Sequence, residues 1–184
     1  MAESGPEHVD VIVVGAGISG IGQAYHLQTR CPDRRYVILE GRGALGGTWD
    51  LFRYPGIRSD SDMHTLGFSF HPWTDPRSIA GGPAIRGYIE ETARTYGIDR
   101  HIRFNTQVTV ASWSTADARW TVTATGADGE PVTITCNFLC MCSGYYNYAR
   151  GHSPQFEGME TFQGRIVHPN SGQTTSTMPA SAWW

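Results

Sequence analysis

Three glycines and one acid carry the most specific chemistry in the sequence. Gly15-Ala16-Gly17-Ile18-Ser19-Gly20 has Gly-x-Gly-x-x-Gly spacing, and Glu40 stands 20 positions beyond Gly20. Such a turn can grip a diphosphate. Gly15 permits the tight turn, Gly17 lets backbone approach a pyrophosphate with no Cβ in the way, and Gly20 lets a following helix pack on the preceding strand. The start of that helix offers unpaired N–H groups and a partial positive charge. Ser19, in its first turn, can add a hydroxyl donor. Glu40 can accept hydrogen bonds from the ribose hydroxyls of an adenosine. The same carboxylate repels a 2′-phosphate, so the site should take FAD or NAD rather than NADP.

These residues do that work only when strands and a helix flank them, and the sequence supplies both. Residues 9–14 are a β-branched run with the character of a buried parallel strand. Ile21 to Arg30 reads as a helix with Ile21, Ala24, Tyr25 and Leu27 at roughly helical spacing, and Tyr36–Leu39 reads as a second strand delivering Glu40 at its end. Farther on, Ile85, Tyr88, Ile89, Thr92, Ala93 and Tyr96 fall on one side of a helix over 84–96, with Pro83 in its first turn and Gly97 as its C-cap. That stripe reads as core. Ile102–Phe104 and residues 106–113, 119–125 and 131–136 are strand-like, with a turn at Ala127-Asp128-Gly129-Glu130. Trp113 and Trp120 read as a cross-strand pair. Phe138–Cys142 is a further short buried strand ending at Ser143-Gly144. The expected fold is α/β: a Rossmann-like domain, a parallel sheet with helices on both faces, with an inserted antiparallel β-meander.

Composition narrows the function classes. The chain has 184 residues, 14 basic against 17 acidic, and a formal charge of −3. That balance argues against nucleic acid or an anionic membrane as the main partner. Every basic residue is arginine. Without lysine, a Walker-type phosphate loop and a pyridoxal-phosphate enzyme are both excluded, as is the Tyr-x-x-x-Lys form of a small NAD-dependent reductase. The apolar runs are about half of the ~20 residues a membrane span requires. MAESGPEHVD lacks the basic and apolar regions of a signal peptide, so a cytoplasmic location is expected. The four cysteines, Cys31, Cys136, Cys140 and Cys142, are then expected as reduced, buried thiols. With no CxxC and no nearby histidine pair, no metal site is expected.

Residues 41–62, GRGALGGTWDLFRYPGIRSDSD, have no helical or strand periodicity. A loop of this length inside a compact domain is usually functional. Trp49, Phe52 and Tyr54 are costly to leave in water and should cover something flat. In combination, Gly15–Gly20, Gly46-Gly47-Thr48-Trp49-Asp50, Arg53-Tyr54-Pro55-Gly56, Arg58-Ser59-Asp60-Ser61-Asp62 and Ser143-Gly144-Tyr145-Tyr146-Asn147-Tyr148 resemble the FAD-containing monooxygenases of the Baeyer–Villiger type. The resemblance runs from about residue 9 to Pro169.

It implies an enzyme that binds FAD and NADPH in two nucleotide domains and oxygenates a small ketone or a sulfur compound through a flavin C4a-peroxide. Carried over by residue, Ser19 and Glu40 hold the pyrophosphate and ribose, and Thr48, Trp49, Asp50 and Leu51 line the flavin. Arg58 and Ser59 lie near the nicotinamide cofactor, and Val108 meets the adenine through its backbone. Asp60 sits at the active site orienting an arginine. Read from its own residue type, Asp60 could equally cap the short segment beginning at Ser61-Asp62.

The family's fingerprint FxGxxxHxxxWP fits at Phe162, Gly164 and His168, but Gly172 and Gln173 stand where Trp and Pro belong. Read one base out of frame, the codons permitted by the tail can restore the Trp-Pro pair and run on into Gly-Lys-Arg-Val-Val. A one-base frameshift is therefore expected. The expected organisation is 1–8 as a disordered N-terminus, 9–148 as the N-terminal segment of the FAD domain, 149–169 as a connection toward an NADPH domain, and 170–184 as an aberrant tail. The sheet would then be incomplete at its C-terminal end and the chain inactive in turnover. A non-catalytic FAD-binding fragment and a small NAD-binding oxidoreductase are the alternative readings.

Overall fold

A computed structural model describes residues 6–148, 150–164, 166 and 168. Strand β1 (Glu7–Val14) leads into helix α1 (Ile18–Arg30), which returns the chain to strand β2 (Tyr36–Leu39). Two single-turn helices follow, α2 (Thr48–Leu51) and α3 (Met63–Leu66), then the long helix α4 (Gly82–Thr95). After a 3-10 turn (Ile98–His101) come β3 (Ile102–Arg103), β4 (Gln107–Ser114), β5 (Arg119–Thr125) and β6 (Pro131–Met141). A second 3-10 turn covers Met159–Thr161. β1 starts at Glu7, inside the segment expected to lack structure, because Glu7 and His8 pair with Ile134 and Thr135 of β6. The frameshift reading falls on residues outside those described.

All six strands form one sheet in the order β3-β2-β1-β6-β5-β4. β3, β2, β1 and β6 run parallel, while β4, β5 and β6 form the antiparallel meander. The sequence suggests two strands over 131–136 and 138–142; the structure has one, of 11 residues. β6 does both jobs in succession, pairing with β5 through residues 131–136 and with β1 through residues 134–141. Pro131 opens it, where a missing N–H costs least. Trp113 and Trp120 pair across β4 and β5 with ring centroids 5.5 Å apart.

The period-2 alternation of β1 and β2 divides the core between two faces. Val11, Val13 and Ile38 pack with Ile21, Ala24 and Leu27 of α1 and with Ile85, Ile89 and Ala93 of α4. Ile12, Val14, Val37 and Leu39 face the other way, where Val122, Ile134 and Cys136 cover them. On that second side the cover expected of a doubly wound domain is supplied, among the described residues, by the meander. The α4 stripe is as its spacing predicts: Ile85, Tyr88, Ile89, Thr92 and Ala93 are buried, and Gly97 takes φ +65° just past the helix end. Of the thiols, only Cys136 is fully buried; Cys140 and Cys142 are half-buried on the α1/α4 side, and Cys31, at the end of α1, is exposed. No helix among the described residues is long and apolar enough to cross a membrane.

Candidate nucleotide-binding site

Ligands of open α/β sheets bind beyond the carboxyl ends of the strands. Here three strands end together. Gly15 N–H donates to Leu39 O at 2.8 Å, and Cys142 N–H donates to Val14 O at 2.9 Å, so the β2-β1-β6 ladder runs to the first residue of the glycine turn. Gly15 takes φ +102°, and a Cβ there would stand 2.6 Å from Cys142 O. Gly20 is tighter: its Cβ would stand 2.0 Å from Gly15 O, so only glycine lets α1 begin against the strand end. Gly17 is the N-cap of α1, with no side-chain cap and no acid in the first turn. The leading N–H groups of a 13-residue helix are therefore left for an external acceptor.

A cleft of about 300 Å³ opens over this turn. Gly15, Gly17 and Ser19 line one side, Glu40 and Arg42 another, and Gly46, Gly47, Thr48 and Trp49 a third. The meander contributes Thr106, Gln107 and Val108, and the end of β6 leads to Cys142, Ser143, Gly144, Tyr145 and Tyr148. Burial, and then the neighbouring Cys140, push the Cys142 thiol above its ordinary range, so it meets the cleft as a neutral group. Glu40 is buried. Its Oε2 accepts from Ala16 N–H at 2.8 Å and its Oε1 from Arg42 N–H at 3.0 Å. A carboxylate has about four lone-pair directions, so two backbone donors orient it and leave capacity for hydroxyl groups in the cleft.

Seven of the residues singled out from the sequence thus meet here: Gly15, Gly17, Ser19, Glu40, Thr48, Trp49 and Val108. Gly20 supports the turn from outside the cleft. Asp50 and Leu51 do not line it. Asp50 is buried as an ion-pair hub, with Arg53 Nη2 at 2.9 Å, Arg42 Nη1 at 3.1 Å and Arg86 Nη1 at 3.2 Å. Trp49 packs on the α1/α4 core, and the rings of Phe52 and Tyr54 are half-buried. Together with Arg53, Arg86 and Ile57 these three aromatics wall an adjoining cleft that shares Trp49 with the first.

The Arg58–Asp60 segment is built differently. Ser59 is buried; its N–H donates to Ala80 O at 2.9 Å and its Oγ accepts from Ala80 N–H at 3.1 Å. That pin turns Arg58 and Asp60 outward, and both are exposed. Asp60 is not the cap of the next helix. Asp62 is, accepting from Thr65 N–H at 2.9 Å, and that bonding holds its carboxyl below the usual range. After Tyr145, Asp60 is among the groups that raise the Tyr146 phenol, so its charge faces the tyrosine-rich loop. Sequence reasoning passed over Arg42, Thr106 and Gln107. Nothing in their types marks them; they reach the cleft through the loop after β2 and the crossing of β4.

Residues 65–178, more than half of the chain, match the family of flavin-binding monooxygenase-like proteins, and residues 13–76 match an NAD(P)-binding Rossmann-like domain. The chain is 62% identical over 163 residues to an FAD-containing monooxygenase, EthA, of Mycolicibacterium smegmatis, and 60% identical to EthA of Mycobacterium tuberculosis; each alignment covers 89% of this chain and 33% of the relative. It spans about a third of the length of these relatives. Among solved structures it is similar to an oxidised steroid monooxygenase bound to NADP, at 33% identity and TM-score 0.70, over 89% of this chain and 31% of that one. An open cyclohexanone monooxygenase superposes with TM-score 0.73 at 28% identity, over 91% of this chain and 32% of that one.

Proposed function

Because this chain belongs to the flavin-binding monooxygenase-like family, we propose that its cleft holds the adenosine diphosphate part of FAD in an NADPH-using monooxygenase. The observation that carries this reading is the meeting, at one strand-end cleft, of an uncapped helix start, a buried acid with spare acceptor capacity, and the β4 wall at Val108. The first N–H groups of α1 and the Ser19 hydroxyl bind the diphosphate. Glu40, oriented by Ala16 and Arg42, accepts from the ribose, and Val108 meets the adenine. Thr48 and Trp49 extend the wall toward the ring system, with Asp50 and Leu51 behind them. Arg58 and Asp60 face the nicotinamide cofactor and the reaction centre, and Ser59 acts indirectly, through the Ala80 pin that presents its neighbours. Bound flavin would supply two-electron redox chemistry and oxygen activation. The substrate class is a small ketone or a sulfur compound; the ketone half of that reading is supported by the cyclohexanone named for one similar structure. The four free cysteines accord with a cytoplasmic setting.

Titration of the purified chain with FAD, followed by flavin absorbance and fluorescence, tests the reading. The expected result is a yellow complex from which ADP displaces FAD. A folded chain, by circular dichroism, that leaves FAD free overturns it. Preference for NAD over FAD moves the assignment to an NAD-dependent oxidoreductase. Oxygen uptake with NADPH and a ketone or sulfide distinguishes turnover by this chain from flavin binding alone, and flavin binding without uptake is expected.

A further inference from the structure

One cation meets the cleft. Among the described residues lining it, Arg42 alone carries a positive charge, and the sequence has no lysine to supply another. Its guanidinium is fixed from behind. Nη1 lies 3.1 Å from Asp50 Oδ2, Nη2 donates to Gly47 O at 2.9 Å, and Nε stands 3.7 Å from Glu40 Oε1. A guanidinium has five N–H donors, so these partners leave some over, and the side chain is 32% exposed. Arg53 and Arg86 also reach Asp50, so the carboxylate that holds Arg42 is itself over-matched by cations. Position gives the spare donors a target. Gly47, whose carbonyl Arg42 grips, faces the N-cap of α1: a Cβ on Gly47 would stand 3.1 Å from Gly17 Cα. The guanidinium is thus separated by a single glycine from the backbone donors at the helix start.

Resting on the nucleotide reading above, we infer that Arg42 is a ligand-binding residue that neutralises the nucleotide's phosphates and sets the preference for a diphosphate over a monophosphate. Backbone N–H groups alone would serve AMP and ADP with little discrimination; a forked cation beside them rewards the second phosphate. Asp50 and Gly47 hold the fork in place before the ligand arrives, which lowers the ordering cost of binding.

Calorimetric titration of the native chain, Arg42→Gln and Arg42→Lys with ADP, AMP and adenosine tests this. Loss of a charge-assisted bond should weaken ADP about 10- to 100-fold in Arg42→Gln. AMP should weaken less and adenosine within about twofold, so the ADP-over-AMP preference collapses. Arg42→Lys should keep part of that preference and its salt dependence, and it carries the test if Arg42→Gln does not fold. Equal weakening of all three ligands would make Arg42 a shaper of the cleft only and overturn the proposal, as would unchanged ADP binding. A native chain that binds none of the three overturns the nucleotide reading itself, a result distinct from native binding that Arg42 does not influence.

Discussion

Two stretches of this chain share the spacing Gly-x-Gly-x-x-Gly, and the fold treats them in opposite ways. Gly15–Gly20 joins a buried strand to a 13-residue helix, while Gly41–Gly46 leaves β2 through a run of bends and reaches only the four-residue α2. In the first, Gly20 permits backbone on backbone, with Gly15 O at the site of a missing Cβ. In the second, the tightest approach, at Gly41, is to the side-chain Oε1 of Gln107. The first turn has an N-terminus with enough aligned peptide dipoles behind it to attract an anion; a single turn does not. The second loop lines the same cleft by lying across it, held by Asp50 and its arginines. Spacing alone therefore does not make a phosphate turn. The helix behind it does.

The sharpest way to break this contrast is at Gly20. Gly20→Ala places a methyl group 2.0 Å from a backbone oxygen that cannot rotate away. A cost of about 3–5 kcal/mol is expected, at the large end for a single substitution. Urea unfolding should show most of the chain's stability gone, and FAD binding with it. A second, smaller loss separates a loop held by side chains from a turn held by backbone. Asp50→Ala leaves Arg42, Arg53 and Arg86 facing one another. Breaking a buried pair costs 3–5 kcal/mol, but these arginines are a third to more than half exposed. About 2–3 kcal/mol is the expected loss by urea unfolding. If Asp50→Ala costs more than Gly20→Ala, the loop and not the turn is the foundation of the site.

Much of this was legible in the residues. β2 lies at Tyr36–Leu39 as its pattern indicates, β5 at Arg119–Thr125, and Trp113 meets Trp120 across the strands. The glycine turn and Glu40 could be read because each needs only its own strand and helix to be placed. β6 could not be read as one strand, because its two halves obey different neighbours and Asn137 sits between them. Arg42 was invisible for a related reason. Its partners Gly47, Asp50 and Glu40 come together only when the loop after β2 folds back over the strand ends, and an arginine in a glycine-rich loop looks like any solvated charge. The active-site role expected of Asp60 rests on resemblance alone. Its surroundings are exposed, and the capping role its residue type allowed belongs to Asp62.

Within the Gly41–Gly46 run, one glycine is still held to its type by backbone geometry. Gly46 takes φ +115°, a conformation L residues rarely adopt, and a Cβ there would meet Asp50 Cβ at 3.3 Å. Gly46→Ala should cost about 1–2 kcal/mol, measured as a lower urea midpoint. FAD affinity should fall modestly as Thr48 and Trp49 shift.

The smallest effect is expected at Gly41, and it bears most directly on why equal spacing is not equal function. A Cβ at Gly41 would stand 2.1 Å from Gln107 Oε1, nearly as close as the clash at Gly20. The distance is misleading, because the obstacle is the far end of an exposed, flexible side chain. Its one side-chain bond among the described residues, from Nε2 to Val108 O at 3.2 Å, is easily given up to water. Gln107 can change rotamer where the Gly15 carbonyl cannot. Gly41 also has no positive φ to protect, so alanine should narrow the unfolded ensemble slightly and offset the cost of moving Gln107. Gly41→Ala is expected to change stability by less than about 0.5 kcal/mol and FAD affinity by no more than about threefold, roughly the 0.6 kcal/mol of displacing one neutral contact. A loss on the scale of Gly20→Ala would mean that the second glycine run forms a backbone-backed phosphate turn of its own, and the asymmetry between the two would vanish.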